Sequence, residues 1–182
     1  MNAGHLVVES ILTEALTAVQ RTAIVDLCSA AHDEDFGLLF FFLPHDGQHF
    51  LGLIDGVLVA HAVCTLRHFV VDGRIPLRAG YIDAVATMPG LQRRGYGSAV
   101  MRTAGEHIRT HYDIGGLSTS RPSFYRRLGW RRWRGFLAAR TEQGLEPAAP
   151  RGEDVVMVLT STSTPPLTLG EQLSVEWRPG VW

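Results

Sequence analysis

An α+β fold with a mixed, mostly antiparallel sheet flanked by helices is what the sequence predicts, and three observations predict it. Two Asp-Gly pairs, Asp55-Gly56 and Asp72-Gly73, join apolar runs of strand length, a strong short-range hairpin signal. A glycine-rich turn at residues 92–97 opens a segment with one apolar face, as at a strand–turn–helix junction. The elements run helix, three strands, helix, not in a regular strand–helix alternation.

In chain order, His5 to Val8 reads as a short first strand. Thr13 has an N-cap side chain ahead of Leu16, Val19, Ile24, Leu27 and Cys28 at near-helical spacing. Asp33 to Pro44 mixes acids with Leu38-Leu39-Phe40-Phe41-Phe42-Leu43, a pattern that fits either a second helix or a lid. Three antiparallel strands follow at His49 to Ile54, Val57 to Val71 and about Leu77 to Thr87, the last broken by Met88-Pro89-Gly90. Beyond the glycine-rich turn, Ala99, Val100, Thr103, Ala104, His107 and Ile108 form one helix face, with Arg102, Glu106 and Arg109 opposite. Ile114 to Ser118 is a short strand, and Pro122 to Leu128 a short helix stopped by Gly129. Trp130 to Arg140 and Val155 to Leu159 read as later strands, and a Pro/Thr/Ser-rich connection at 160–167 leads to a final element ending at Trp182.

With 182 residues the chain is long enough for one well-packed domain, 1–182, and short for two. Hydrophobic residues at 46% and charged residues at 19% are globular composition, not that of a disordered chain. A net charge of -1 argues against a nucleic-acid or membrane-surface partner, so a charged ligand must be held by a local cluster. All 17 basic residues are arginine, which removes lysine as nucleophile or Schiff-base former. Cys28 and Cys64 lie far apart in apolar surroundings and read as buried thiols. No signal-peptide pattern and no apolar run of spanning length occurs, so a cytoplasmic location is expected. Eight histidines raise the question of a metal, but Glu106-His107 with His111 is not H-E-x-x-H and no cluster has ligand spacing.

The chemistry-bearing motif is Gln92-Arg93-Arg94-Gly95-Tyr96-Gly97. Glycines here let the backbone approach a ligand, and several amide N–H groups can converge. The helix N-terminus adds partial positive charge, and Arg93 and Arg94 add full charges, which together suit a pyrophosphate. The turn is neither a dinucleotide fingerprint nor a P-loop, since it lacks the early strand with its later acid and any Gly-Lys-Ser/Thr.

In that setting the chain resembles the GNAT acetyltransferases, whose signature is a [Q/R]-x-x-G-x-[G/A] turn opening a helix. Ser123-Phe124-Tyr125-Arg126-Arg127-Leu128-Gly129-Trp130 is similar to the family's tyrosine helix followed by Gly-aromatic. The resemblance implies a sheet splayed at an acetyl-CoA site, with the cofactor along Val85, Ala86 and Thr87 and the turn from Gln92 to Ser98. Ala79 to Ala86, Gly116 to Ser120 and Glu176 to Trp182 further resemble aminoglycoside 2'-N-acetyltransferases, over roughly residues 25–182 apart from a patch around Leu38 to Gly47. That likeness implies acetyl transfer to an aminoglycoside and a homodimer. It implies Asp83 as the acid that activates the amine, directly or through water. Tyr125 is then the residue that protonates the departing thiolate, and the Val85 N–H polarises the thioester carbonyl. Asp35, Ser118, Glu153, Asp154 and the terminal carboxylate of Trp182 join Asp83 as candidate substrate contacts. The family position of Asp83 is commonly glutamate, the acid expected soon after Asp35 is apolar near Phe40, and Gly180 stands before Val181 where an acid is usual. Fewer acids point to an acceptor with fewer amines, such as kasugamycin, or to a different amine. The rival readings are a GNAT acting on a peptide N-terminus or small metabolite, and a non-catalytic acyl-CoA sensor.

Overall fold

Asp55 and Gly56 adopt φ of 49° and 78°, and Asp72 and Gly73 adopt 50° and 66°. Both pairs thus make the doubly left-handed turn that an Asp-Gly hairpin requires, and they join β2 (Gln48–Ile54), β3 (Val57–Val71) and β4 (Ile75–Thr87) as predicted. The computed structural model describes residues 5–179 and 182. They cluster into two compact units, 5–65 with Ile82–Ala104, and Leu66–Tyr81 with 105–179 and 182. The strands β3 and β4 and the helix α3 (Tyr96–His111) contribute residues to both.

In the first unit β1 (Leu6–Leu12) pairs antiparallel with β2, from Leu6↔Ile54 to Leu12↔Gln48. In turn β2 pairs antiparallel with β3, and the register shifts between Gly52 and Leu53. A Cβ at Gly52 would lie 3.0 Å from Val100 Cγ2, so the glycine lets α3 settle close on the sheet. The helix α1 (Ala18–His32) buries Ile24, Leu27 and Cys28 in a cluster with Leu16, Leu51 and Ala86. Each large apolar side chain so buried contributes roughly 1.5–3 kcal/mol.

The start of that helix corrects the sequence expectation. Its N-cap is Thr17, whose hydroxyl accepts from the Gln20 N–H at 3.2 Å while Gln20 Oε1 accepts from the Thr17 N–H at 2.9 Å. Thr13 is instead buried: its N–H donates to Gly47 O at 2.8 Å, and its hydroxyl oxygen lies 3.0 Å from that carbonyl oxygen and 3.0 Å from His49 Nε2. The first strand runs four residues past Val8, and Val19, one of the residues at near-helical spacing, is 79% exposed. The acidic-aromatic segment holds only a four-residue helix, α2 (Leu39–Phe42), with Phe41 and Phe42 exposed.

In the second unit the strand order is β6-β9-β5-β4-β3-β10-β7-β8. The added strands are β5 (Ile114–Thr119), β6 (Arg131–Arg132), β7 (Leu137–Thr141), β8 (Gly144–Pro147), β9 (Val155–Thr160) and β10 (Leu173–Glu176). The pairs β4–β5 and β7–β10 are parallel, whereas β5–β9, β6–β9, β3–β10 and β7–β8 are antiparallel. This is the mixed sheet expected. The single strand expected from Trp130 to Arg140 is broken, because the Arg134 and Gly135 N–H groups turn to Leu169 O at 2.7 and 3.1 Å. A Cβ at Gly135 would fall 1.7 Å from Glu171 O, so only glycine fits. The core here gathers Phe69, Tyr81, Trp133, Val158 and Val175. Beside it, Glu176 accepts from Arg67 at 2.8 Å and Arg178 at 2.9 Å.

Candidate active site

The glycine-rich turn has the backbone its sequence calls for. Arg93 lies at φ 63° and Gly95 at φ 90°, left-handed residues two apart, which turn neighbouring amides toward a common concavity. Gly95 O accepts the Ala99 N–H at 2.9 Å and so begins α3. The N–H groups of Tyr96, Gly97 and Ser98 are therefore those that helix geometry leaves for a ligand. Nothing lies within 4 Å of where a Gly95 Cβ would stand. Gln92, Arg93, Arg94 and Gly95 are exposed, while Tyr96, Gly97 and Ser98 are half-buried. Open space at Gly95, the N–H groups of the helix start and two exposed arginines fit a pyrophosphate group. Gln92 Nε2 reaches back to Thr87 O at 3.4 Å, tying the turn to the end of β4.

The same unit places Asp83, Val85, Ala86 and Thr87 on the last stretch of β4. Ala86 is buried, and Asp83, Val85 and Thr87 are half-buried. Between Asp83 and Val85 stands Ala84 at φ 49°, a left-handed alanine that interrupts the pleat and costs about 1–2 kcal/mol. Its carbonyl accepts from His61 Nδ1 at 2.8 Å, with Cys28 Sγ at 3.8 Å, and Val85 O accepts from His32 Nε2 at 3.1 Å. Asp35 is exposed between α1 and α2, and its Oδ1 accepts the Gly37 N–H at 2.7 Å.

The second unit holds the other candidates. Tyr125 lies on α4 (Pro122–Arg126) and is 7% exposed. Burial pushes its phenol up to about 12, against a smaller opposing pull from Arg121, so the ring stays protonated. The Ser118 hydroxyl is buried without a hydrogen-bond partner among the described residues. Ser118 pairs with Val156 and Thr119 with Val155, which brings Glu153 and Asp154 to the same end of the β5–β9 pair. Glu153 is exposed and Asp154 half-buried. Trp182 donates its indole N–H to Ala148 O and sets its ring edge-on to Phe69 at 5.8 Å. Gly180 and Val181 lie outside the described residues.

Sequence reasoning passed over a buried file of polar side chains in the first unit. Thr13 Oγ1 meets His49 Nε2 at 3.0 Å, His49 Nδ1 meets His61 Nε2 at 2.9 Å, and His61 reaches the Ala84 carbonyl. Burial pushes His61 down to about 4; burial, then His61 and Arg21, push His49 down to about 3. The only available signal was two histidines inside apolar strands. No group of His, Cys, Asp and Glu among the described residues could hold a metal ion, and no described helix is long and apolar enough to cross a membrane.

Comparison with known proteins identifies the family of the chain. Over 152 residues the chain is 28% identical to the aminoglycoside 2'-N-acetyltransferase of Mycolicibacterium fortuitum, covering 78% of this chain and 77% of that one. Its fold is similar to the ribosomal-protein-S18-alanine N-acetyltransferase of Escherichia coli, with TM-score 0.59 and 17% identity over 85% of this chain and 93% of that one. It is also similar to a probable N-acyltransferase of Enterococcus faecalis V583, with TM-score 0.61 and 20% identity over 71% of this chain. The match spans only 33% of that longer protein. Residues 40–133, more than half of the sequence, match the model of the acetyltransferase (GNAT) domain, and the chain belongs to the GNAT acetyltransferase family.

Proposed function

We propose that this enzyme transfers an acetyl group to an amino group of an aminoglycoside, with Asp83 as proton acceptor, Tyr125 as donor to the leaving group and the turn from Gln92 to Ser98 as the cofactor cradle. The observation that carries the cofactor half is the alternation of left-handed Arg93 and Gly95 at the head of α3. The acceptor half is supported by the likeness to the Mycolicibacterium fortuitum enzyme. Acetyl-CoA, the family's cosubstrate, supplies a thioester whose C–S bond is exchanged for an amide C–N bond.

The chain's own residues then have four tasks. The amides of Tyr96, Gly97 and Ser98, with Arg93 and Arg94, hold the pyrophosphate. The Val85 N–H donates to the carbonyl oxygen as it gains negative charge, which is where a fixed donor stabilises the transition state most. Asp83 takes the proton that the amine must lose. A carboxylate is a far weaker base than an amine, so the amine must arrive neutral or pass its proton through water. Tyr125, its phenol pushed up to about 12 by burial, is a poorer acid than a thiol. It therefore serves as a hydrogen-bond donor to the forming thiolate, and water delivers the final proton.

The acceptor is one with few amines, of which kasugamycin is an example. Asp35 turns one oxygen into its own loop, and Glu176 is engaged by three arginines, which reduces the carboxylates left for a polycation. The test is free-thiol release across aminoglycosides with two to six amines, kasugamycin and an N-terminal peptide. Turnover on an aminoglycoside is expected, and Asp83→Ala lowers kcat by about 10²–10⁴. Turnover of the peptide alone defeats the acceptor assignment, and an Asp83→Ala enzyme as active as wild type removes Asp83 from the mechanism.

A further inference from the structure

We propose that His61, braced by His49 and Thr13, is a positioning residue that sets the peptide plane between Ala84 and Val85 and thereby aims the Val85 N–H and the neighbouring Asp83. The proposal rests on the roles given above to Asp83 and the Val85 amide. Its physical basis is the planarity of the peptide unit. The Ala84 carbonyl and the Val85 N–H belong to one trans plane and point in opposite directions. Whatever draws the Ala84 oxygen inward therefore turns the Val85 N–H outward, away from His61. The oxygen is drawn inward by a 2.8 Å hydrogen bond from a ring that is wholly buried.

The proton order along the file is forced from that end. A carbonyl only accepts, so His61 Nδ1 carries hydrogen, and in the neutral ring His61 Nε2 accepts. His49 Nδ1 must then donate across 2.9 Å, and His49 Nε2 accepts from the Thr13 hydroxyl at 3.0 Å. Gly47 O keeps the Thr13 N–H at 2.8 Å when the hydroxyl turns away. Every link donates toward Ala84, and both imidazoles are fixed in the Nδ1–H tautomer. His49, His61 and Thr13 are 0–2% exposed, so water does not compete for these bonds. The next plane is held as well, because His32 Nε2 donates to Val85 O at 3.1 Å. An alanine at φ 49° has no intrinsic reason to keep that conformation. The surrounding donors supply it.

Two variants and one spectroscopic measurement test this. His61→Leu removes the donor, whereas His61→Asn places an amide N–H near the position of Nδ1. With activity expressed per active site titrated by CoA binding, His61→Leu is expected to lower kcat at least tenfold while KM for acetyl-CoA stays within about threefold. His61→Asn is expected to recover most of kcat. In the wild type, ¹⁵N chemical shifts are expected to show His61 and His49 as neutral Nδ1–H tautomers. Wild-type kcat in His61→Leu, a joint loss of kcat and CoA sites that Asn does not rescue, or an Nε2–H tautomer at His61 would each overturn the proposal. The tautomer reading decides the matter even if neither variant folds. Asp83→Ala, run in parallel, separates the two layers. If it is inactive while His61→Leu is fully active, only the positioning role fails. If it is fully active while His61→Leu loses kcat and Asn restores it, the Asp83 assignment fails and the aiming of the Val85 amide stands.

Discussion

The buried histidine pair makes stability fall on mild acidification, by an amount that follows from the structure. In the unfolded chain both rings titrate near 6.5, whereas in the fold His61 is held at about 4 and His49 at about 3. Below 6.5 the unfolded state binds protons that the folded state refuses, so stability is fully present above 6.5 and is lost as pH falls toward those lower values. Between pH 7 and pH 5 each ring contributes a loss of about 2 kcal/mol, or ~4 kcal/mol together. That is a large share of the ~5–15 kcal/mol available to a typical domain. The groups facing the pair reinforce the effect. Arg21 lies close enough to lower His49 further, and the Cys28 thiol, 3.9 Å from His61 and pushed up to about 12 by burial, offers no counter-charge. The assay is urea unfolding at pH 7 and pH 5 for the wild type and for the double variant His49→Gln/His61→Asn, which has no imidazole at either site. Carboxylates elsewhere titrate equally in both proteins, so the difference between the two pH dependences isolates the pair. A wild type that loses no more than the variant, within about 1 kcal/mol, refutes the neutral buried pair.

Two further substitutions probe the cradle and the second unit. Gly95→Ala places its Cβ in open space at φ 90°, so its cost is backbone strain alone. A stability loss of about 1–2 kcal/mol is expected together with weaker CoA binding by calorimetry, and unchanged CoA affinity would remove the turn from the cradle. Glu176→Gln takes the charged partner from Arg67, whose side chain is 5% exposed, and from Arg178. The expected loss is about 2–4 kcal/mol by urea unfolding, near the lower end for a severed buried pair because Glu176 is itself 28% exposed. A loss below about 0.5 kcal/mol would mean the neutral amide satisfies Arg67 as well as the carboxylate does.

What was legible in the sequence is what local chemistry decides alone. Asp55-Gly56 and Asp72-Gly73 demand positive φ and have it, so the three-strand run could be placed almost to the residue. The turn from Gln92 to Gly97 was legible for the same reason, its glycine at 95 being needed by its own backbone. Thr13 and Thr17 offer the same side chain ahead of the same helix. Gln20 three residues on makes Thr17 the cap, and the reach of Thr13 to Gly47, 34 residues away, is invisible to any local pattern. The kink at Ala84 is the sharper case. Nothing about an alanine in an apolar strand announces a left-handed residue, and nothing about His49 and His61 in two other apolar runs announces that they touch. Yet each explains the other. A left-handed residue inside β4 turns its carbonyl out of the ladder and into the interior, where an unpaired oxygen costs about 1–3 kcal/mol. A buried imidazole has two polar nitrogens and the same problem. His61 lies opposite Leu51 on β2, His49 is two residues from that partner, and the diagonal brings the rings to 2.9 Å. The strand that presents Asp83 can therefore keep its kink because β3 beside it and β2 beyond that carry histidines where an apolar core would otherwise require leucine or valine.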